Sequence, residues 1–184
     1  ILASGKRKIF DRAFPILRTM GYEILYCGKI GNASTLKVVS NYLASINLLA
    51  LGEALMVCKK YGLDLSTAFH GIKISSGNSF VHETESQVIL NGSRDINFTM
   101  DLVLKDIGLF QDIATANNVP LEISPLLIKI FKDGQPRFAA REWSPNIIKR
   151  LEEACDTKIL APGFPDEMTD DEPEEPGYEI IPRS

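Results

Sequence analysis

The chain has few of the residues that bind metals or form disulfides. Its three cysteines, Cys27, Cys58 and Cys155, are far apart, and no CxxC or Cys/His spacing typical of a zinc site occurs. The histidines His70 and His82 have no carboxylate or cysteine at ligand spacing, so we interpret them as partly buried or surface side chains without a metal. These absences predict free thiols in a reducing compartment, which indicates a cytoplasmic location.

The sequence also lacks the usual signals of several other classes of protein. No basic segment followed by an apolar one indicates a signal peptide, and no apolar run reaches the length of a membrane span, so we expect no membrane partner. No stripe of Lys and Arg with interleaved aromatics supports nucleic-acid binding. Neither a Ser/His/Asp set nor a G-x-G-x-x-G dinucleotide fingerprint occurs.

Charge is distributed unevenly along the 184 residues. The net charge of −4 combines a mildly basic body with residues 161–184, which contain eight acidic residues and one basic residue. Because this last stretch is also rich in proline, we expect an extended acidic C-terminal arm. Phe164, Tyr178 and Ile180 are its candidates for docking, so we expect the arm to be partly ordered.

The longest structural signal is a helix predicted from Ser34 to Tyr61. Asn32 and Ser34 are its candidate capping residues, and Gly62 follows its end. Apolar residues lie nearly all round this helix, which is typical of a helix buried in a core or in a subunit interface. The remaining polar residues, Lys37, Ser40, Asn41, Ser45 and Gly52, fall on one side.

That polar side has two possible interpretations. It carries small groups and one ammonium instead of the Glu and Lys of a solvated face, so it fits the wall of a cleft. Lys37 and Asn41, four residues apart on a helix, would both reach one ligand. The same spacing also fits a buried helix whose lysine extends its ammonium to solvent.

The other elements predict a mainly α protein. Residues 1–27 read as strand, helix and strand, a small piece of an α/β sheet. Further helices are predicted over 63–75 with Asp64 or Ser66 as N-cap, over Phe80–Leu90, over Phe98–Asn117, up to Gly134, and after Ser144 as N-cap. We therefore expect a helical bundle around one long central helix, preceded by the sheet fragment.

The start of the long helix resembles a known family. The run G-x-x-G-x-x-x-x-x-K-x-x-x-N, from Gly28 to Asn41, is similar to the motif that opens the C-terminal domain of the β-hydroxyacid dehydrogenases, such as 3-hydroxyisobutyrate and 6-phosphogluconate dehydrogenases. The resemblance implies that Lys37 is the catalytic acid/base and that Asn41, with Ser40 and Gly31, binds substrate. The family usually has glycine at the position of Ala33 and asparagine at that of Ser40.

A second run, F-x-x-x-L-x-x-K-D-x-x-L from Phe98 to Leu109, resembles another motif of the same family. The resemblance implies that Lys105, supported by Asp106, contacts the nicotinamide end of NAD or NADP. Without the resemblance, Asp101 and Lys105 would form an ordinary surface ion pair. The segment 76–79 matches one that lies near the cleft in the family and is a weaker site candidate.

The resemblance also implies an organisation of the chain. Residues 1–27 would be the end of an N-terminal Rossmann domain whose remainder lies upstream of Ile1. Residues 28–160 would be an all-α substrate and dimerisation domain like the C-terminal domain of 6-phosphogluconate dehydrogenase, and 161–184 the acidic arm. We expect the chain by itself to be inactive.

The implied function is NAD(P)-dependent oxidation of a small β-hydroxyacid, by a homodimer or homotetramer. The alternative is a helical dimerisation or scaffold module, derived from that family, that has lost the chemistry. The presence of Lys37 favours the enzyme, and it also disfavours imine reduction, because relatives with that activity replace this lysine.

Overall fold

The computed structural model describes residues 1–168 and 173–183, which form two compact units. The first contains residues 1–40 and the C-terminal segment, and the second contains residues 41–168. The acidic stretch 169–172 of the predicted arm lies outside the described residues. The division into three domains at residues 27 and 160 stays a prediction.

The first unit contains a small parallel sheet. Strand β1 (Leu2–Ala3), helix α1 (Arg7–Leu17) and strand β2 (Glu23–Tyr26) form the predicted strand, helix and strand. The C-terminal segment adds strand β3 (Tyr178–Ile180), which pairs in parallel with β2 and gives the order β1-β2-β3. The arm is thus partly ordered, as expected, but its regular strand was not predicted.

Arg7 connects the helix of this unit to the C-terminal strand. Its guanidinium donates to both carboxylate oxygens of Glu179, with 2.7 Å between Nη2 and Oε2. The same group lies over the rings of Phe10 and Tyr26, at 4.9 and 5.1 Å from their centroids. A bidentate ion pair stacked on aromatic rings uses the planar shape of arginine, which lysine would not reproduce.

The long helix α2 (Asn32–Tyr61) begins two residues earlier than predicted and ends at the predicted residue. Gly62 adopts a φ of +88°, and the N–H of Leu63 donates to the carbonyl of Cys58 at 2.9 Å, which closes the helix. Asn32 does not cap through an accepting side chain. Its amide nitrogen donates to the carbonyl of Cys27 at 2.7 Å.

By length and composition, α2 is able to cross a membrane, which corrects the expectation that no apolar stretch reaches that length. The core helix of a soluble protein meets the same criterion, so this finding is weak evidence for a span. Leu48, Leu55 and Met56 of α2 are buried in the apolar core of the second unit.

The second unit contains five further α-helices and one 3-10 helix, which share an apolar core with α2. They are α3 (Leu65–Lys73), α4 (Phe80–Asn91), α5 (Met100–Ala116), α6 (Ile123–Phe138), the 3-10 helix Ser144–Ile148 and α7 (Lys149–Cys155). A mainly helical chain with a small sheet is confirmed. Asp64, one of the two predicted N-caps, caps α3 by accepting from the N–H of Thr67, and Gly92 closes α4 in the left-handed conformation.

Two predicted boundaries are wrong. Helix α6 continues through Gly134 to Phe138, because Gly134 is a close-packing position: a Cβ there would lie 2.3 Å from Cδ1 of Ile147. Ser144 begins the 3-10 helix instead of capping it, and its N–H donates to the carbonyl of Phe98 at 2.8 Å. Tertiary contacts therefore override both local signals.

A buried ion pair joins the segment before α5 to α7. Arg94 Nη2 lies 2.8 Å from Glu152 Oε1, and the two side chains are 6% and 2% exposed. The same carboxylate oxygen accepts from the N–H of Ile159 at 2.7 Å. Glu152 thus accepts a hydrogen bond from the buried N–H of Ile159, and the ion pair replaces part of the hydration that both charges lose.

We predict that Arg94→Met lowers the free energy of unfolding by about 3–5 kcal/mol, because it leaves the Glu152 carboxylate buried without its cation. Urea denaturation measures the loss. Arg150→Met is the matched control, since Arg150 pairs with exposed Asp133 and its loss costs about 1 kcal/mol or less. Equal effects of the two substitutions would contradict the importance of the buried pair.

Candidate functional site

The residues of the first motif occupy the beginning of α2. Gly31 precedes the helix with a φ of +95°, and its carbonyl accepts from the N–H of Thr35 at 2.9 Å. Lys37 is exposed and lies one helical turn before Asn41. The hydroxyl of Ser40 donates to the carbonyl of Lys37 at 2.9 Å, so it stays close to the helix backbone.

The two motifs meet at the carboxylate of Asp106. Asn41 Nδ2 donates to Asp106 Oδ2 at 2.6 Å, and Lys105 Nζ lies 3.2 Å from Asp106 Oδ1. The Asp106 side chain is 3% exposed, whereas that of Lys105 is 57% exposed. A buried carboxylate thus orients an amide from α2 and, next to it, an ammonium that solvent still reaches.

Packing between α2 and α5 supports this contact. The rings of Tyr42 and Phe110 are stacked, with centroids 3.8 Å apart and planes 11° from parallel. Tyr42 comes directly after Asn41 on α2, and Phe110 lies one turn after Asp106 on α5. The stacked rings therefore fix the distance between the two helices near the site. Burial raises the pKa of the Tyr42 hydroxyl.

The simple surface pair of Asp101 with Lys105 does not form. The Asp101 carboxylate accepts from the hydroxyl of Thr99 and pairs with Arg141 at 3.3 Å. The hydrogen bond from Thr99 is the main cause of its lowered pKa. Lys105 pairs with Asp106 instead.

The polar side of α2 belongs to the site only in part. Ser45 is buried and donates to the carbonyl of Asn41 at 2.8 Å. Gly52 lies elsewhere, against the side chain of Ile148, where a Cβ would meet Cγ1 at 2.9 Å. Gly52 therefore serves helix packing and does not line the polar cleft that we expected.

A cavity of about 190 Å³ lies beside Asn41. Its polar lining comes from Asn41, Ser45, Thr84, Glu85 and Ser144, and its other walls are mainly apolar. The segment 76–79 does not line it: Asn78 bonds to Glu83 and Ser79 caps α4.

Glu85 is the functional candidate that the sequence analysis missed. Its Oε2 is buried and has no hydrogen-bond partner among the residues that the structure describes. Burial raises the pKa of this carboxyl to about 7. Its position in the sequence could have identified it. Val81 and Ile89, one turn before and after it, are both buried apolar residues, so Glu85 lies on the same face of the helix.

The remaining candidates carry no chemistry. His70 is exposed, while His82 is more buried than expected, with Nε2 2.8 Å from the carbonyl oxygen of Phe69. No cluster of three metal-binding side chains occurs in the described ranges. A larger cavity of about 570 Å³, with Arg137 and Arg150 among its lining residues, contains no residue of either motif.

The chain belongs to the β-hydroxyacid dehydrogenases: residues 31–149 match the family described as the NAD-binding domain of NADP-dependent 3-hydroxyisobutyrate dehydrogenase. This match includes the first motif from Gly31 onward and the whole of the second motif. The cofactor of the family is a nicotinamide dinucleotide.

Among particular proteins, the chain is 32% identical over 160 residues to 2-(hydroxymethyl)glutarate dehydrogenase of Eubacterium barkeri, covering 86% of this chain and 53% of the relative. It is 25% identical to L-threonate dehydrogenase of Escherichia coli K12, covering 81% and 50%. The 3-hydroxyisobutyrate dehydrogenase of Mycobacterium tuberculosis, solved with L-serine, superposes with a TM-score of 0.70 at 25% identity, covering 80% and 53%. The chain spans about half the length of these relatives.

We predict that Glu85→Gln stabilises the fold above pH 7 and not at pH 4.5. The folded pKa of Glu85 is about 7 and lies above its ordinary value of 4.5, so the protonated form is favoured on folding. In the wild type, the contribution of Glu85 to the free energy of unfolding is therefore fully present below the ordinary pKa and is lost as pH rises through the folded pKa. Glutamine resembles the protonated acid, so at pH 8 the free energy of unfolding of the variant should exceed that of the wild type by on the order of 3 kcal/mol.

Urea denaturation at several pH values measures this difference. Glu83→Gln is the control on the same helix, because the pKa of Glu83 is lowered, first by its hydrogen bond from Asn78, and its side chain is exposed. A Glu85→Gln variant with the same pH profile as wild type would contradict the burial of an unpaired carboxyl.

Proposed function

We propose that the chain is the C-terminal, substrate-binding half of an NAD(P)-dependent dehydrogenase of small β-hydroxyacids. The observation that carries the proposal is the contact of Asn41 and Lys105 with the same buried carboxylate, Asp106. Two motifs separated in sequence thereby contribute adjacent polar groups, which packing alone would not require. Family membership gives the reaction class, and the relatives that act on hydroxyacids support a substrate of that kind.

Lys37 is the proposed acid/base. In the oxidation direction its Nζ accepts the proton of the substrate hydroxyl, and in reduction the ammonium returns that proton to the carbonyl oxygen. Asn41, one turn further along α2, has an N–H and a carbonyl oxygen beyond its bond to Asp106 with which to hold the substrate. Ser40 and Gly31 are proposed to shape the same binding region.

The residues present fit the nicotinamide end of the cofactor and not its phosphates. Lys105 offers a partly exposed ammonium that Asp106 holds in place, so it is suited to contact a ribose or carboxamide oxygen. When bound, nicotinamide supplies the hydride acceptor. No glycine-rich loop for the pyrophosphate occurs in this sequence, so we propose that an N-terminal Rossmann domain holds the rest of the cofactor.

The proposed organisation follows that of the family. Residues 1–27 would complete the Rossmann domain, 28–160 would form the helical domain, and 161–184 the acidic arm. Activity then belongs to the full-length polypeptide, and the 184-residue chain by itself should not reduce NAD or NADP. The proposed location is the cytoplasm.

We predict that Lys37→Met in the full-length polypeptide lowers kcat at least about a hundredfold, because acid–base assistance usually contributes 10²- to 10⁴-fold. Methionine matches the stem of lysine, so cofactor affinity and thermal stability should change little. Lys59→Met, near the other end of the same helix, is the control and should retain wild-type turnover. Lys37→Met with turnover within a few-fold of wild type would favour the scaffold function.

Lys105→Ala should have a different effect. It removes the ammonium beside Asp106, so we predict a raised KM for the dinucleotide with a smaller change in kcat. Steady-state kinetics with varied cofactor concentration separates the two parameters. A loss in kcat alone would contradict the cofactor contact.

We also propose that the protein is a homodimer or a higher homo-oligomer. Leu43 and Val57 on α2 are 52% and 69% exposed, which leaves apolar surface on a helix typical of interfaces. Sedimentation should show association at micromolar concentration, weakened by Leu43→Glu or Val57→Glu. Ile74→Glu, at an exposed position after α3, is the control, and a monomeric wild type would contradict the proposal.

A further inference from the structure

Glu85 has hydrogen-bonding capacity that the described part of the protein does not use. A buried carboxyl without a partner costs free energy, because water no longer solvates it. Its neighbour Glu83 shows the usual arrangement, with a hydrogen bond from Asn78 and an ion pair with Lys73 at 3.3 Å. Glu85 differs because it faces the cavity beside Asn41.

Three other polar side chains of the cavity wall already donate a hydrogen bond within the protein. The hydroxyl of Ser45 donates to the carbonyl of Asn41 at 2.8 Å, and that of Thr84 donates to the carbonyl of Phe80 at 2.8 Å. Asn41 itself donates to Asp106. Glu85 is therefore the strongest acceptor side chain in the wall, and its carboxyl, whose Oε2 has no donor among the described residues, is available to a donor on whatever occupies the cavity.

The size of the cavity limits that occupant. At about 190 Å³ it has room for the end of a small molecule, since a water occupies about 30 Å³ of liquid. Its lining includes Asn41, which connects it to the contact with Asp106 described above. A small substrate bound at Asn41 would thus extend toward Glu85.

We propose that Glu85 is a specificity-determining residue whose carboxyl accepts a hydrogen bond from a second donor group of the substrate, a hydroxyl or an ammonium on the carbon next to the reacting one. This inference rests on the proposed function. It assigns to the enzyme a preference for β-hydroxyacids that carry such a donor over those that carry hydrogen there.

Three probe substrates isolate the contact. 3-Hydroxypropionate, glycerate and serine share the reacting β-hydroxyl and the carboxylate, and they carry hydrogen, hydroxyl and ammonium, respectively, on the neighbouring carbon. The kcat/KM of the full-length polypeptide is measured for each, with wild type, Glu85→Gln and Glu85→Met. Glu83→Gln is the control, because Glu83 does not line the cavity.

The variants distinguish the two donors. An ammonium needs the negative charge, so Glu85→Gln and Glu85→Met should both lower kcat/KM for serine at least about tenfold. A hydroxyl needs only an acceptor, so Glu85→Gln should keep kcat/KM for glycerate within about threefold while Glu85→Met lowers it about fivefold or more. In either case kcat/KM for 3-hydroxypropionate should stay within about twofold of wild type.

The outcomes separate this inference from the function on which it rests. If wild type oxidises these acids but the variants change all three alike, or change none, Glu85 does not read the substrate and the inference is overturned alone. A wild type that prefers 3-hydroxypropionate has the same consequence. A wild type that oxidises no β-hydroxyacid overturns the proposed function together with the inference.

Discussion

The buried carboxylate of Asp106 is the constraint on which the candidate site depends. A charge that is 3% exposed loses most of its hydration, and removing an ion from water costs several kcal/mol unless the protein replaces the lost contacts. Asn41 and Lys105 supply such contacts at 2.6 and 3.2 Å. The need to satisfy one carboxylate therefore determines where an amide from α2 and an ammonium from α5 are held.

Helix packing supports the contacts of this carboxylate. Stacking of Tyr42 on Phe110 fixes α2 beside α5, and Gly52 admits Ile148 close to α2 further along. The stack holds α2 and α5 together next to the contact of Asn41 with Asp106, which is the kind of preorganisation that positional catalysis needs. By contrast, Glu85 contributes a carboxylate oxygen without a described partner to the wall of the cavity beside Asn41, and its burial destabilises the fold.

The sequence predicts those features that depend on local pattern. Apolar residues all round a 30-residue helix and a glycine just beyond it identify α2 and its end, whereas the contact of Asn41 with Asp106 was not predicted. Features that depend on tertiary contacts were missed. Gly134 reads as a helix end but provides space for Ile147, and the strand Tyr178–Ile180 exists because β2 offers it an open edge. In the sequence, Glu85 does not differ from other helical glutamates, because the cavity beside it forms only in the folded structure.

The central claim is that Asn41 and Asp106 act as a single unit in catalysis, and a double-mutant cycle tests it most directly. The kcat/KM of the full-length polypeptide is compared for wild type, Asn41→Ala, Asp106→Ala and the double variant. If Asp106 acts by holding Asn41, the double variant should be little worse than the poorer single variant, with a coupling energy of about 1 kcal/mol or more. Losses that add to within about 0.5 kcal/mol would show that the two residues act independently and would contradict the account.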